Sequence, residues 1–253
     1  MFFDTHAHLD DARFDEDREA LIQSFKENKI DLVLNIGSTL ENSFEGVELS
    51  KKYDNIYSAA GIHPEGILDL PKNYLDDLEK LFENKKTVAV GEIGLDYHYD
   101  TPKDIQKRYF TEQLTFANRL KKPVIIHDRD AHADCLEIIK ANLPEKFVFH
   151  CYSGSVEFAR EILNLGGYIS FTGVITFKNA NKLPEVAKFV PLDRIFIETD
   201  CPYLSPEPFR GKRNSPLNVP LVAQKIAELR NESVEKIASV TKENAIKFFG
   251  IEL

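Results

Sequence analysis

Residues 2–8 read FFDTHAH, and the change in this stretch from apolar residues to histidine decides the fold. Phe2–Thr5 has the short, β-branched or aromatic character of a strand, and His6 and His8 follow at its end. The carboxyl ends of parallel strands meet at one edge of a sheet, where sites are built. The stretch therefore predicts a buried strand of a parallel sheet with polar side chains at its functional edge.

Seven further runs of the same kind follow along the chain and alternate with longer amphipathic stretches. The predicted strands are Leu32–Ile36, Ile56–Ala60, Val88–Val90, Val124–Ile126, Phe147–Phe149, Tyr168–Phe171 and Arg194–Glu198. Near-continuous apolar runs are typical of strands that are buried on both faces of a parallel sheet.

The amphipathic stretches predict helices. Asp104–Leu120 has one apolar face and is followed by Pro123, which cannot continue a helix. Ser155–Leu165 begins with a good N-cap residue and ends at a pair of glycines. Further predicted helices are Asp15–Glu27, Tyr74–Phe82, Ala131–Ala141, Leu183–Phe189 and Val219–Leu229, and Val234–Phe249 is expected to pack outside as one or two terminal helices.

Eight alternations of strand and helix in a chain of this length favour an α/β fold, a (β/α)8 TIM-type barrel, as a single domain over residues 1–253. A doubly wound open sheet is the main alternative, but neither G-x-G-x-x-G nor G-x-x-x-x-G-K-[ST] occurs in the sequence. The proline-rich stretch 202–220 follows the last strand and either shapes a site or forms a stiff surface connector.

The composition excludes several classes of protein. With 43% hydrophobic and 29% charged residues, the chain is too apolar for disorder and too charged for a membrane bundle. Charged residues close to Met1 leave no room for an export signal, and three cysteines without C-x-x-C spacing fit a reducing cytosol, so a cytoplasmic location is predicted. The net charge of −9 argues against a protein that coats DNA, but not against an enzyme with bound cations.

Polar residues follow six of the predicted strands, and five of the seven histidines are among them. His6 and His8 are two residues apart, so both side chains point to one side of the strand and can bind one divalent cation. Glu92 has two carboxylate oxygens with which to bridge to a second cation, and His127 and His150 are the candidates to hold it. Two ions about 3.5–4 Å apart can activate a water and orient a phosphoryl group.

Asp200 follows the eighth strand and either completes the first ion site or acts as a base towards a bound water. Burying this many polar groups without partners would cost a few kcal/mol each, which favours metal binding over a purely structural role. The predicted metal ligands are His6, His8, Glu92, His127, His150 and Asp200, and Asp200 and Glu92 are also the predicted catalytic groups.

Three residues are predicted to contact substrate. His63 follows the third strand, Arg129 can clamp an anionic oxygen, and Arg213 lies with Arg210 and Lys212 in the proline-rich stretch, where positive charges can meet phosphates. Each has a structural alternative: a hydrogen-bonded histidine, a surface ion pair and a solvated basic loop. Glu198 shares strand parity with Asp200 and is expected to lie behind the ligands.

These motifs together resemble the TatD family of metal-dependent hydrolases, within the amidohydrolase-like barrels, over nearly the whole chain. The matching stretches are residues 4–9 (DTHAHL), 61–64 (GIHP), 91–96 (GEIGLD), 123–127 (PVIIH) with Arg129, 150–154 (HCYSG), 198–204 (ETDCPYL) and 213–216 (RNSP). One departure is visible, since Glu65 stands where the family often has a further histidine after His-Pro.

The resemblance implies a barrel with two divalent cations, of which magnesium, manganese and zinc are the candidates. It assigns His6, His8, Glu92 and Asp200 to one ion and Glu92, His127 and His150 to the other. It also implies a deoxyribonuclease, a 3′–5′ exonuclease on nucleic acid. The net charge of −9 favours a single-stranded DNA end over a duplex as the substrate, and a monomer or weak oligomer is the expected state. Alternatives are hydrolysis of another ester or amide, such as D-aminoacyl-tRNA, and a non-catalytic binding protein.

Overall fold

The computed structural model describes residues 1–252, in which eight parallel strands pair in sequence order and alternate with helices. The strands are β1 Phe2–Ala7, β2 Ile30–Ile36, β3 Ile56–Ala60, β4 Thr87–Asp96, β5 Val124–Arg129, β6 Phe147–Phe149, β7 Tyr168–Phe171 and β8 Ile195–Ile197. The helices are α1 Arg18–Gln23, α2 Leu40–Lys52, α3 Tyr74–Leu81, α4 Lys103–Leu120, α5 His132–Ala141, α6 Val156–Asn164, α7 Leu183–Phe189, α8 Val219–Arg230 and α9 Val234–Phe249. The predicted (β/α)8 barrel is confirmed, and that residues 1–253 form a single domain stays a prediction.

The ends of β4 differ most from the sequence-based strands. The prediction that this strand ends at Val90 is wrong, because the strand continues through Gly91 and Gly94 to Asp96. Gly94 has a φ of +151°, and a Cβ there would lie 1.9 Å from the carbonyl oxygen of His127 on β5. The glycine therefore permits the strand to continue and to approach β5 closely. From the sequence alone, a glycine within an apolar run is expected to weaken or interrupt a strand.

Helix α2 was not predicted, because its buried face carries small residues instead of an apolar stripe. That face consists of Ser43, Gly46, Val47 and Ser50. A Cβ at Gly46 would come within 2.7 Å of the side-chain nitrogen of Asn35, so the helix packs unusually close to β2. Close backbone approach replaces the hydrophobic periodicity on which the prediction of a helix depends.

The barrel closes between β1 and the segment that follows β8. The backbone amide of Asp200 donates to the carbonyl of His6 at 2.9 Å, and the amide of His8 donates to the carbonyl of Cys201 at 2.8 Å. Ala7 and Cys201 form a parallel bridge. The residues that close the barrel are thus neighbours of, or identical with, the predicted ligands.

Two hydrophobic cores fill the structure. The larger one lies between the sheet and the surrounding helices, whereas the smaller one lies inside the barrel and takes side chains such as Phe3, Val88 and Phe196 from the strands. Phe248 and Phe249, at the end of α9, join the inner core at the amino ends of the strands. The predicted terminal segment is thus one helix, which packs against the outer core through Ile237 and Ala238 and closes the amino end of the barrel with its last turn.

Across residues 1–252, none of the helices has a stretch that is both long and apolar enough to cross a membrane.

Replacement of Phe248 by alanine tests this packing of α9. This side chain is buried against the rings of Phe196 and Tyr168, so we expect Phe248→Ala to lower the free energy of unfolding by about 3–5 kcal/mol. Urea denaturation measures the change. Phe44→Ala, at an exposed site, is the control and is expected to change stability by less than about 0.5 kcal/mol. Equal losses in the two variants would contradict the described packing.

Candidate metal centre

The six predicted ligands converge at the carboxyl end of the barrel. β1 carries His6 and is followed by His8, β4 carries Glu92, β5 carries His127, and His150 and Asp200 follow β6 and β8. All but His6 line a cavity of about 470 Å³, and His6 is buried beneath it. The structure thus brings together the residues that the sequence places far apart.

One side of the cluster is formed by the β1 histidines and Asp200. Oδ1 of Asp200 lies 3.6 Å from Nε2 of His6 and 3.4 Å from Nε2 of His8. Oε1 of Glu92 lies 3.6 Å from Nε2 of His8, and Oε2 lies 3.9 Å from Nε2 of His6. Two imidazoles and two carboxylates therefore face a common point.

The other side of the cluster is formed by His127 and His150. Oε2 of Glu92 lies 2.9 Å from Nε2 of His150 and 3.3 Å from Nδ1 of His127. The two ring nitrogens are 3.1 Å apart. Glu92 is therefore shared between the two sides, as a bridging carboxylate would be.

His6 shows why these residues fit a metal ion. Its side chain is completely buried, and neither ring nitrogen has a hydrogen-bond partner among the described residues. An unsatisfied buried imidazole is costly, and a divalent cation would supply the missing interaction. Ligand atoms within 4.8 Å of one another are offered by the groups His6–His8–Glu92, His6–His150–Glu198 and His63–Glu92–His127.

The electrostatics of the cluster favour the metal-binding protonation states of His6 and Glu92. Burial lowers the pKa of His6 well below its ordinary value, helped by the charge of His150, so this ring stays neutral. Burial opposes ionisation of Glu92, but His150 and His127 outweigh it and hold the pKa of the carboxyl well below its ordinary value. Neutral imidazole and ionised carboxylate are the ligand forms for divalent cations. Burial lowers the pKa of His8, His127 and His150, but the neighbouring carboxylates outweigh it and raise the pKa of all three rings, that of His8 to about 9. A cation that binds here therefore displaces protons from these rings.

Carbonyl and carboxylate oxygens behind the cluster orient two of its histidines. Nδ1 of His8 lies 3.0 Å from the carbonyl oxygen of Ile36 and must donate to it, which leaves Nε2 free to face the cluster. Nε2 of His127 lies 2.9 Å from Oδ2 of the buried Asp96, so Nδ1 faces Glu92.

Glu198 lies behind the ligands, as its strand parity suggested. Its Oε1 accepts from the backbone amide of Cys151 at 2.7 Å and lies 3.6 Å from Nδ1 of His150.

Asp4 and Asp96 belong to the sequence motifs, but the sequence alone does not indicate a role for either. Asp4 is completely buried, which raises its pKa to about 8, and it accepts from the backbone amide and the hydroxyl of Thr199 at 2.9 and 2.5 Å. It thereby joins β1 to the segment that carries Asp200. Thr199 is 195 residues away from Asp4 in sequence, so no local motif links the two residues. The position of Asp4 within its strand was the one signal of this role that the sequence offered.

The three predicted substrate contacts lie in different surroundings. His63 and Arg129 line the cavity, and the ring of His63 is 4.3 Å from that of His127. Arg213 is not among the lining residues, since its guanidinium pairs with Asp17 at 2.8 and 2.5 Å. A phosphate contact of Arg213 stays a prediction and would require that this pair opens. Of the proline-rich stretch, Tyr203 reaches the cavity.

Known proteins resemble this chain over nearly its whole length. A family model described as TatD related DNase matches residues 3–250. A Bacillus subtilis strain 168 protein named "Uncharacterized metal-dependent hydrolase YabD" is 45% identical over 254 residues, which cover 99% of this chain and 100% of that protein.

Solved structures share the fold. The crystal structure of YJJV, a TatD homolog from Escherichia coli K12, is 33% identical and has a TM-score of 0.94, covering 99% of this chain and 98% of that one. An uncharacterized amidohydrolase from Saccharomyces cerevisiae is 20% identical with a TM-score of 0.82, covering 98% of this chain and 99% of that one. The second likeness concerns the fold alone.

Metal addition tests the centre directly. A cation that binds only the folded chain stabilises it, by about 2.7 kcal/mol at one hundred times its dissociation constant. We expect Mn²⁺ or Zn²⁺ to raise the unfolding temperature of chelator-treated protein, and Glu92→Gln to lose most of that rise because both sides of the cluster use Glu92. Calorimetry measures the shift. Glu65→Gln, at an exposed rim carboxylate, is expected to keep it, and a full rise in Glu92→Gln would refute the centre.

Asp96→Asn tests the orientation of His127. An amide at this position cannot hold the ring as the carboxylate does, so we expect metal affinity to fall by about 10–100-fold. Competition with a chromogenic chelator measures the affinity. Asp128→Asn is the matched control, because the Asp128 carboxylate pairs with His132 instead of a ligand. Equal affinities in the wild type and Asp96→Asn would show that Asp96 is structurally idle.

Proposed function

The chain belongs to the TatD family of metal-dependent hydrolases, and we propose that it is a deoxyribonuclease that removes nucleotides from the 3′ ends of single-stranded DNA. The observation that carries this proposal is the position of Glu92. One of its oxygens faces His8 and the other faces His127 and His150, an arrangement that suits two cations better than one. Paired cations are well suited to in-line displacement at phosphorus.

Two divalent cations, held by His6, His8, Glu92 and Asp200 on one side and by Glu92, His127 and His150 on the other, would activate a water and neutralise charge on the phosphoryl group. The mixture of imidazole and carboxylate suits zinc or manganese, while magnesium would depend more on the carboxylates. The shared carboxylate fixes how close the two sites lie.

Asp200 is the residue that we expect to accept the proton of the attacking water. Its carboxylate borders the cavity, whereas Glu92 is enclosed by histidines on both sides. The hydrogen bond from the backbone amide of Asp200 to the carbonyl of His6 holds the Asp200 side chain beside His6 and His8. A positioned base of this kind contributes about 10²–10⁴-fold to a rate.

His63 and Arg129 are the groups we assign to the substrate phosphate. Nδ1 of His63 accepts from the backbone amide of Glu65 at 3.2 Å, so the proton of the neutral ring is on Nε2 and is available to a phosphate oxygen. Arg129 supplies an exposed guanidinium at the cavity, with the donor geometry that matches phosphate.

Nuclease assays with Mg²⁺ or Mn²⁺ test the proposal. The wild type is expected to release mononucleotides from a 5′-labelled single-stranded oligonucleotide, and Asp200→Asn is expected to lower kcat by about 10²–10⁴-fold because the proton acceptor is lost. Asp193→Asn, at an exposed carboxylate before β8, is the control and is expected to retain the wild-type rate.

A parallel assay on D-aminoacyl-tRNA separates this function from the alternative ester hydrolysis. Release of the amino acid in the absence of any nucleotide release from DNA would replace the deoxyribonuclease by a deacylase. Equal rates in the wild type and Asp200→Asn on DNA would refute the assigned role of Asp200.

A further inference from the structure

Two tyrosines stand at the mouth of the metal-centre cavity with much of their rings exposed. Tyr203 is 49% exposed and Tyr99 is 44% exposed, and both line the cavity. Large aromatic rings are normally buried, and exposed ones beside a site are typical of binding surfaces. Neither ring has a part in holding the metal or in the proton transfer described above.

Each tyrosine is backed by an arginine. The guanidinium carbon of Arg13 lies 4.2 Å from the centre of the Tyr203 ring, and that of Arg129 lies 5.6 Å from the centre of the Tyr99 ring. Asp11 fixes Arg13 with two hydrogen bonds of 2.8 and 2.6 Å. A cation over an aromatic ring stabilises the stack and leaves the exposed part of the ring for a further partner.

The two tyrosines lie on opposite sides of the metal centre. Tyr203 follows β8 and Tyr99 follows β4, which are half of the barrel apart. The ring of Tyr203 is 6.2 Å from that of His8, so this tyrosine lies directly beside a proposed metal ligand. A chain that crosses the mouth would therefore meet one ring on each side of the reacting bond.

Arg213 fixes the position of Arg13, the arginine that stacks on Tyr203. Its guanidinium donates to the carbonyl of Arg13 at 2.5 Å and pairs with Asp17, which ties the loop after β1 to the segment after β8. It also lies 4.8 Å from the ring of Phe14. The predicted phosphate-binding residue thus has the geometry of a positioning residue for Arg13 and Tyr203.

We propose that Tyr203 and Tyr99 are base-stacking platforms that bracket the metal centre and select unpaired nucleotides. The inference rests on the proposed nuclease function and names how the same site recognises its substrate. An unpaired base can place its face on an exposed ring, whereas the bases within a duplex are already stacked on one another. Stacking on every base is also independent of sequence.

Binding measurements in the Asp200→Asn full-length chain test the platforms without relying on cleavage. We compare a labelled single-stranded oligonucleotide with the same strand lacking the bases of its last two nucleotides, using fluorescence anisotropy. The intact strand is expected to bind about tenfold more tightly, and Tyr203→Ala is expected to remove most of that preference while leaving the abasic strand unchanged. Tyr203→Phe is expected to retain the preference because the ring is kept.

The control is an arginine-backed aromatic residue outside the cavity. Phe189 is 37% exposed and lies 5.1 Å from the guanidinium of Arg160, so Phe189→Ala should bind both strands as the parent does. Equal binding of the two strands, or equal weakening of both by Tyr203→Ala, would overturn the platforms. Base-dependent binding without DNA cleavage by the wild type would instead refute the nuclease function and retain the platforms.

Discussion

The buried carboxylate of Glu92 is the constraint on which the rest of the site depends. A carboxylate removed from water is costly unless positive or hydrogen-bonding groups surround it, and here the nitrogens of His150 and His127 lie within 3.3 Å of one oxygen. His150 and His6 are themselves buried and keep ring nitrogens without a hydrogen-bond partner among the described residues. The cluster is therefore a set of polar groups that compensate one another only in part, and a divalent cation is the simplest group that completes it.

The hydrogen bonds that close the barrel also position the ligands of the site. The bonds from Asp200 to His6 and from His8 to Cys201 join the first strand to the segment after the last one, and Asp4 reinforces the joint through Thr199. A shift of this joint would separate both β1 histidines from Asp200. The ligands thus lie on the hydrogen-bonded frame of the barrel, and such support is what a precise arrangement of ligands requires. The loops beyond this frame are then the parts of the chain that can determine the substrate.

The sequence predicted those features that local pattern determines. β3, β6 and β7 were predicted to the residue, because each is a short apolar run between clear turn signals. The ligands were found because a polar residue directly after such a run lies at the functional edge. The end of β4 and the existence of α2 were not predicted, because close packing at glycines takes the place of the usual hydrophobic periodicity. The role of Asp96 and the pairing of Arg213 with Asp17 depend on partners that only the folded chain brings together.

Under the proposed function, this acidic chain must bind a polyanion and obtain its affinity from something other than a broad positive surface. The chain carries a net charge of −9, and two arginines near the mouth, Arg13 and Arg213, are already paired with Asp11 and Asp17. These two arginines are thus occupied by carboxylates, and Arg129 is the guanidinium that lines the cavity and can meet a phosphate there. Cations bound at the proposed metal centre, together with the exposed rings beside it, would offer a localised contact in place of a broad positive surface. Such a contact favours a flexible strand end over a duplex lying across the surface, because only the end can enter the cavity and turn its bases towards the rings.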